Sequence, residues 1–154
     1  FIVLDLNDNR LELAKKFGAD IVMNPKKENV VEKILEMTDG YGCDVYIEAA
    51  GHPASVTQGL EMIRKLGRFI EFSVFKDLVT ADWSIISDRK ELDLLGAHLS
   101  PWCFEPVIKW IYEGKLPTEG VVTHKFGLDD WEKAFELAAT GADNAIKVAL
   151  IPGL

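Results

Sequence analysis

Residues 1–18 read FIVLDLNDNRLELAKKFG, and the fold is decided there. Four apolar residues, Phe1 to Leu4, run straight into Asp5; Asn7 and Asp8 follow, and then a helical pattern that stops at Gly18. A short continuous apolar run bounded by turn residues is the pattern of a strand buried on both faces. Asn7 or Asp8 can cap the following helix, and Gly18 suits its left-handed C-terminal stop. A carboxylate, Asp5, therefore stands at the C-terminal tip of a core strand.

Doubly wound sheets bind their ligands outside the C-terminal ends of the strands. In dinucleotide-binding folds an acid at this tip accepts hydrogen bonds from both ribose hydroxyls of the adenosine half. From this stretch alone, Asp5 reads equally as a ribose clamp and as an ordinary turn aspartate.

Working outward, Ile21, Val22 and Met23 make a short strand that Asn24-Pro25 stops. Val30, Val31, Ile34, Leu35 and Met37 recur at helical spacing among charges, and Asp39-Gly40 closes that helix. CDVYIEAAG (Cys43–Gly51) reads as a core strand ending in small residues. His52-Pro53 opens a helix expected to run through Leu66 to Gly67. The next strand is expected over Arg68–Phe75, then an irregular polar stretch over 76–91, with room for a helical turn at Asp82–Ser87. A further strand follows over Leu92–Ser100. Strand and helix thus alternate through the first hundred residues, the pattern of a parallel sheet covered on both faces. After Pro101 come a helix face (Phe104, Val107, Ile108, Ile111, Tyr112), a strand at VVTHKFG, a helix over Leu128–Thr140 and a closing strand over Ala145–Pro152.

The 154 residues suit one domain, or one domain with an appendage. No apolar run approaches the roughly 18–20 residues of a membrane span, and no signal-peptide pattern is present. Phe1 is no natural start, so the true N-terminus is expected elsewhere. A net charge of −8 argues against non-specific nucleic-acid binding. Cys43 and Cys103 form no ligand cluster and read as buried or half-buried free thiols of a reducing cytoplasm. Neither they nor His52, His98 and His124 match the spacing of a zinc site.

In order and spacing, Asp5 at its strand tip, GAD with its short strand, GCDVYIEAAG, GRFIEFSV, LLGAHLS and NAIKVALIP resemble a known family. They look like the C-terminal, coenzyme-binding half of a zinc-type medium-chain dehydrogenase/reductase, most similar to its sorbitol and threonine dehydrogenase branch. The implied architecture is α/β: an incomplete Rossmann doubly wound parallel sheet in residues 1–98, and a small C-terminal α+β segment, 99–154, that returns to the catalytic domain. The first strand and its Gly-rich turn have no counterpart here, since no G-x-G-x-x-G occurs. In the strand order 3-2-1-4-5-6 that strand belongs beside Phe1–Leu6 and Asp44–Ala49. Residues 1–154 are therefore expected to fold poorly alone.

The resemblance implies hydride transfer between an alcohol or polyol and NAD, assisted by a zinc whose ligands lie outside this chain, so the chain alone is expected to be inactive. Asp5 aligns with the ribose-binding carboxylate and favours NAD over NADP. Arg10 matches a basic position against the adenosine, or is a plain exposed helix residue. Ala49, Ala50 and Gly51 let ribose and phosphate run close to the backbone, or serve helix–strand packing. Phe72, Ser73 and Val74 match the segment beside the nicotinamide, with Ser73 where relatives usually carry glycine. Ala97, His98 and Leu99 end the last sheet strand, where the family's backbone groups hold the carboxamide; His98 faces the cleft or is a half-buried surface histidine. Lys147 matches a basic residue reaching the pyrophosphate, or is a solvent-facing lysine of the closing strand. Glu48 reads as a locally salt-bridged carboxylate rather than an acid/base group.

Trp110 and Trp131 read as core. Trp83 and Trp102 flank a strand that joins subunits in this family, so a homodimer or homotetramer is expected. Two other readings stay open: a nucleotide-sensing module without catalysis, and a methyltransferase, which would carry a terminal antiparallel hairpin.

Overall fold

The computed structural model describes residues 1–99 and 101–154. The strands and helices, in chain order, are β1 (Ile2–Leu4), α1 (Asp8–Lys16), β2 (Ile21–Met23), α2 (Val30–Met37), β3 (Cys43–Glu48), α3 (Pro53–Met62), β4 (Ile63–Glu71) and β5 (Asp93–Gly96). They continue as α4 (Phe104–Tyr112), β6 (Val122–Phe126), α5 (Trp131–Thr140) and β7 (Lys147–Leu150). Every strand pair among the described residues is parallel: β1 with β2, β3 with β4, β4 with β5, and β6 with β7. The expectation of a parallel α/β chain therefore holds, and the antiparallel hairpin of the methyltransferase reading is replaced by the parallel β6–β7 pair.

Two compact units are formed, one by Phe1–Glu28 with Glu105–Leu154 and one by Asn29–Phe104. In the first, Asn7 caps α1 by accepting the Asn9 N–H at 2.9 Å. Gly18, at φ +96°, makes the left-handed exit expected of it. Leu11, Ala19 and Met23 are buried. The β1–β2 register sets Ile2 against Ile21 and Leu4 against Met23.

In the second unit the sheet order is β3-β4-β5. Leu60, Ile63 and Phe69 form its buried centre, with Tyr46, Val56, Ile85, Ile86 and Leu92 packed around them. The Tyr46 ring lies 5.2 Å from that of Phe69, and its hydroxyl donates to the Ser55 carbonyl at 2.9 Å. Gly59 sits where any Cβ would enter the Tyr46 ring, which brings α3 close to β3. α3 therefore covers the face of Tyr46 and Glu48, while Val45 and Ile47 on the opposite face are exposed. β3 is thus covered on one side rather than two.

Several expected boundaries move. α3 ends at Met62, not Gly67, because Ile63 turns to extended geometry (ψ 140°) and buries its own side chain. The ammonium of Lys90 fixes that end: Nζ donates to the carbonyls of Leu60, Glu61 and Ile63 at 2.6, 2.9 and 2.6 Å. Leu66 takes a left-handed φ of +55°. β4 stops at Glu71 rather than Phe75. A five-residue π-helix at Ile85–Arg89 stands near the expected turn. β5 spans Asp93–Gly96 rather than Leu92–Ser100, and Ser100 lies outside the described residues.

Trp110 and Trp131, expected in the core, are 48% and 53% exposed, and α4 buries none of its residues. Their helical spacing gives each helix an apolar side but supplies nothing to cover it. Cys43 is half-buried, whereas Cys103 is exposed instead of sheltered.

Candidate functional site

Asp5 leaves the β1 ladder as its last bonded residue, donating its N–H to the Met23 carbonyl at 3.3 Å. Its Oδ1 accepts the Asn7 N–H at 2.8 Å, a local turn that starts the route into α1. Its Oδ2 lies 3.7 Å from Nη1 of Arg10. The Asp5 side chain is 29% exposed, so the carboxylate is only partly covered.

This loop is anchored from below by a residue that sequence reading treated only as a strand stop. Asn24 is 5% exposed. Its Nδ2 donates to the Leu6 carbonyl at 3.2 Å and to Asp8 Oδ1 at 2.9 Å. Lys27 closes the arrangement, with Nζ 2.5 Å from Asp8 Oδ2. The hydrogen bonds from Lys27 and Asn24 hold the Asp8 carboxyl below the usual carboxylate range. An asparagine at the end of a core strand, just before a proline, was the available signal.

In the second unit, register aligns Glu48 with Glu71 and Glu71 with Gly96. The three segments that follow, Ala49–Gly51, Phe72–Val74 and Ala97–Leu99, therefore leave the sheet at one C-terminal edge. Phe72 N–H donates to the Glu48 carbonyl at 3.0 Å, and the Ser73 hydroxyl reaches the same oxygen at 3.3 Å. Ala97 N–H donates to the Glu71 carbonyl at 2.9 Å. Gly51 has φ +66°, and a Cβ there would stand 2.8 Å from the Val74 carbonyl oxygen. Its smallness thus permits the β3 and β4 exits to approach. Ala49, Ala50, Phe72, Val74, His98 and Leu99 are exposed along this edge.

Glu48 itself is fully buried. Oε1 accepts the N–H groups of Ala50 and Gly51 at 3.0 and 3.1 Å, and the Ser55 hydroxyl bonds to the same oxygen. Burial pushes this carboxyl up, but the Ser55 and Ser73 hydroxyls and the Ala50 and Gly51 N–H groups outweigh it and leave it below its ordinary value. The expected local salt bridge is replaced by these neutral donors. Glu71, whose Oε1 accepts the Ser73 N–H at 2.8 Å, is shifted the other way, first by burial and further by the Glu48 charge.

Lys147 belongs to neither group. It is exposed at the start of β7, and its carbonyl accepts from the Thr123 hydroxyl at 3.2 Å. The turn before it is tied by Asp143, 3.2 Å from His124 Nε2, and by Asn144, which accepts from Asn9 of α1.

Taken unit by unit, the residues are of the kinds that hold a nucleotide: in the first an acid at a strand tip, and in the second a small-residue edge cleared by Gly51. They do not fit a zinc ion, since among the described residues no three His, Cys, Asp or Glu side chains are placed to hold a metal. No step through zinc is assigned to this chain.

A family profile described as "Zinc-binding dehydrogenase" matches residues 1–113. The erythritol/L-threitol dehydrogenase of Mycolicibacterium smegmatis is 49% identical over 151 residues, covering 98% of this chain and 41% of that protein. The L-threonine 3-dehydrogenase of Pyrococcus horikoshii is 39% identical over 145 residues, covering 91% of this chain and 41% of that one. A protein from E. coli CFT073 described as a short chain alcohol dehydrogenase, solved in complex with NADH, superposes with a TM-score of 0.84 at 28% identity, covering 97% of this chain and 43% of its own. The chain thus spans about two fifths of the length of the curated relatives it matches.

Proposed function

This chain belongs to the zinc-binding dehydrogenase family, and from that premise we propose that it forms the coenzyme-binding portion of an NAD-dependent, zinc-requiring alcohol or polyol dehydrogenase. The reaction is hydride transfer between a secondary alcohol and NAD. Residues 1–98 supply most of the coenzyme domain, and 99–154 return to the catalytic domain. Zinc is held by ligands outside this chain. The dehydrogenase relatives, the NADH complex of a structural neighbour and the coverage of two fifths of the relatives support this reading.

The observation that carries it is the position of Asp5. One oxygen is occupied by the Asn7 N–H, which fixes the carboxylate, and the other is turned to the Arg10 side. A fixed anion there accepts hydrogen bonds from ribose hydroxyls and repels a 2′-phosphate. Arg10, at 3.7 Å, offsets part of that repulsion. Ala49–Gly51 and Phe72–Val74 form the wall along which the rest of the coenzyme lies, Ala97–Leu99 hold the carboxamide end, and Lys147 meets the pyrophosphate. NAD, when bound, supplies the hydride acceptor.

The substrate belongs to the small alcohols and polyols. A cytoplasmic homodimer or homotetramer completes the proposal, with the exposed Trp83 and Trp102 beside the outer strand β5 as candidate anchors. No helix of the described chain is long and apolar enough to cross a membrane, and no basic face for nucleic acid is expected at a net charge of −8.

The test is a panel of small alcohols and polyols, erythritol and threitol among them, offered with NAD to the full-length protein. NADH formation, read by absorbance, is expected with at least one member. No NADH with any member, together with no binding of NADH itself, contradicts the proposal.

A further inference from the structure

Glu48 ends β3, and its side chain lies on the α3 side of the sheet with Tyr46. It is fully buried, and through one oxygen it gathers the Ala50 and Gly51 N–H groups and the Ser55 hydroxyl. Its main-chain carbonyl meanwhile accepts from Phe72 N–H and the Ser73 hydroxyl. One residue therefore holds both exposed segments of the strand-tip edge: its carboxylate fixes the turn after β3, and its backbone fixes the segment after β4.

A neutral amide oxygen would accept the same N–H bonds. The geometry of the turn thus calls for an acceptor at Glu48 but not for a charge. The cross-strand neighbour is another carboxylate, Glu71, and like charges opposed in a sheet are unfavourable. Among the described residues neither is offset by a basic side chain in contact. What remains is a negative field at the C-terminal edge, in a setting where burial limits screening by water.

We propose that Glu48 is a positioning and specificity-determining residue for the coenzyme: it sets the wall formed by Ala49–Gly51 and Phe72–Val74, and its charge favours the oxidised form over the reduced one. The physical reason is that the oxidised nicotinamide ring carries a positive charge and the reduced ring carries none. This rests on the reading that NAD lies at these strand tips with its nicotinamide beside Phe72–Val74.

The test is the pair of dissociation constants for NAD and NADH, measured separately on the full-length protein, NADH by its fluorescence and NAD by calorimetry. In Glu48→Gln, which keeps the acceptor and loses the charge, NAD is expected to bind about fivefold more weakly while NADH stays within about twofold. In Glu48→Asp, which keeps the charge and shortens the reach to the turn, both forms weaken and their ratio stays within about twofold of wild type. Equal weakening of both forms in Glu48→Gln, or no change in either, overturns the proposal and leaves the coenzyme reading standing. If Glu48→Gln does not fold, a shifted ratio in Glu48→Asp overturns it and a preserved ratio supports it. A wild-type protein that binds neither form overturns both readings together.

Discussion

Glu48 and Glu71 stand opposite one another in the parallel β3–β4 ladder, and each carboxylate is bonded by the segment that follows its own strand, Glu48 by the Ala50 and Gly51 N–H groups and Glu71 by the Ser73 N–H. The two acids nevertheless titrate in opposite directions, because Glu48 has enough donors to outweigh its burial and Glu71 does not. Relative to an ordinary value of 4.5 in the unfolded chain, Glu48 in the fold gives up its proton at lower pH. Its contribution to stability is therefore present above that value and is lost as pH falls through the folded one. Glu71 keeps its proton to higher pH in the fold, so its contribution is present in acid and is lost as pH rises through the folded value.

Glu48→Gln should therefore be less stable than wild type at neutral pH, by about 1–3 kcal/mol, with the gap closing as pH drops below the ordinary carboxylate range. Glu71→Gln should gain on wild type as pH rises from that range toward neutrality. Urea unfolding of the full-length protein at several pH values reads both slopes. Parallel curves for wild type and either variant would sink the assignment.

Lys90 ends a helix from 27 to 30 residues away in sequence. Its three ammonium hydrogens meet the carbonyls of Leu60, Glu61 and Ile63, groups that a helix C-terminus leaves without internal partners. Lys90→Met keeps the aliphatic stem and removes the donors, and the expected loss is about 1–3 kcal/mol. The urea midpoint measures it, and a midpoint equal to wild type would show that water replaces the ammonium without cost.

Gly51 combines a left-handed backbone with the Val74 carbonyl 2.8 Å from any added Cβ. Gly51→Ala should cost about 1–2 kcal/mol from the backbone alone and should weaken NADH binding, since the two wall segments are forced apart. Fluorescence titration with NADH and thermal unfolding, done on one preparation, separate the two effects. Unchanged NADH affinity in a destabilised variant would remove Gly51 from the coenzyme wall.

Much of this arrangement is readable from the chain because its signals are local. Apolar runs, Asn7 as cap and Gly18 as stop act within a few residues, so the position of Asp5 at the tip of β1 follows from residues 1–18 themselves. The end of α3 was not readable, because Lys90 imposes it from a distant segment and Leu66 continues the helical spacing past it. Glu48 was visible as an acid in an apolar strand, but its partners come from a turn whose path periodicity does not describe. Trp110 and Trp131 show the reverse case: helical spacing places them on an apolar side, and burial then depends on a covering surface that spacing cannot supply. Asn24 joins two loops through its side-chain amide, a contact made between β1 and β2 rather than along either.

The proposed function depends on Asp5 being the anion that meets the adenosine ribose. Its most direct test is the ratio of NADPH to NADH dissociation constants in the full-length protein, wild type against Asp5→Ser, both read by nicotinamide fluorescence. Wild type should prefer NADH by about tenfold or more, and Asp5→Ser should bring the two coenzymes within about threefold of each other by losing NADH affinity and gaining NADPH affinity. A preference that survives the substitution unchanged would contradict the account.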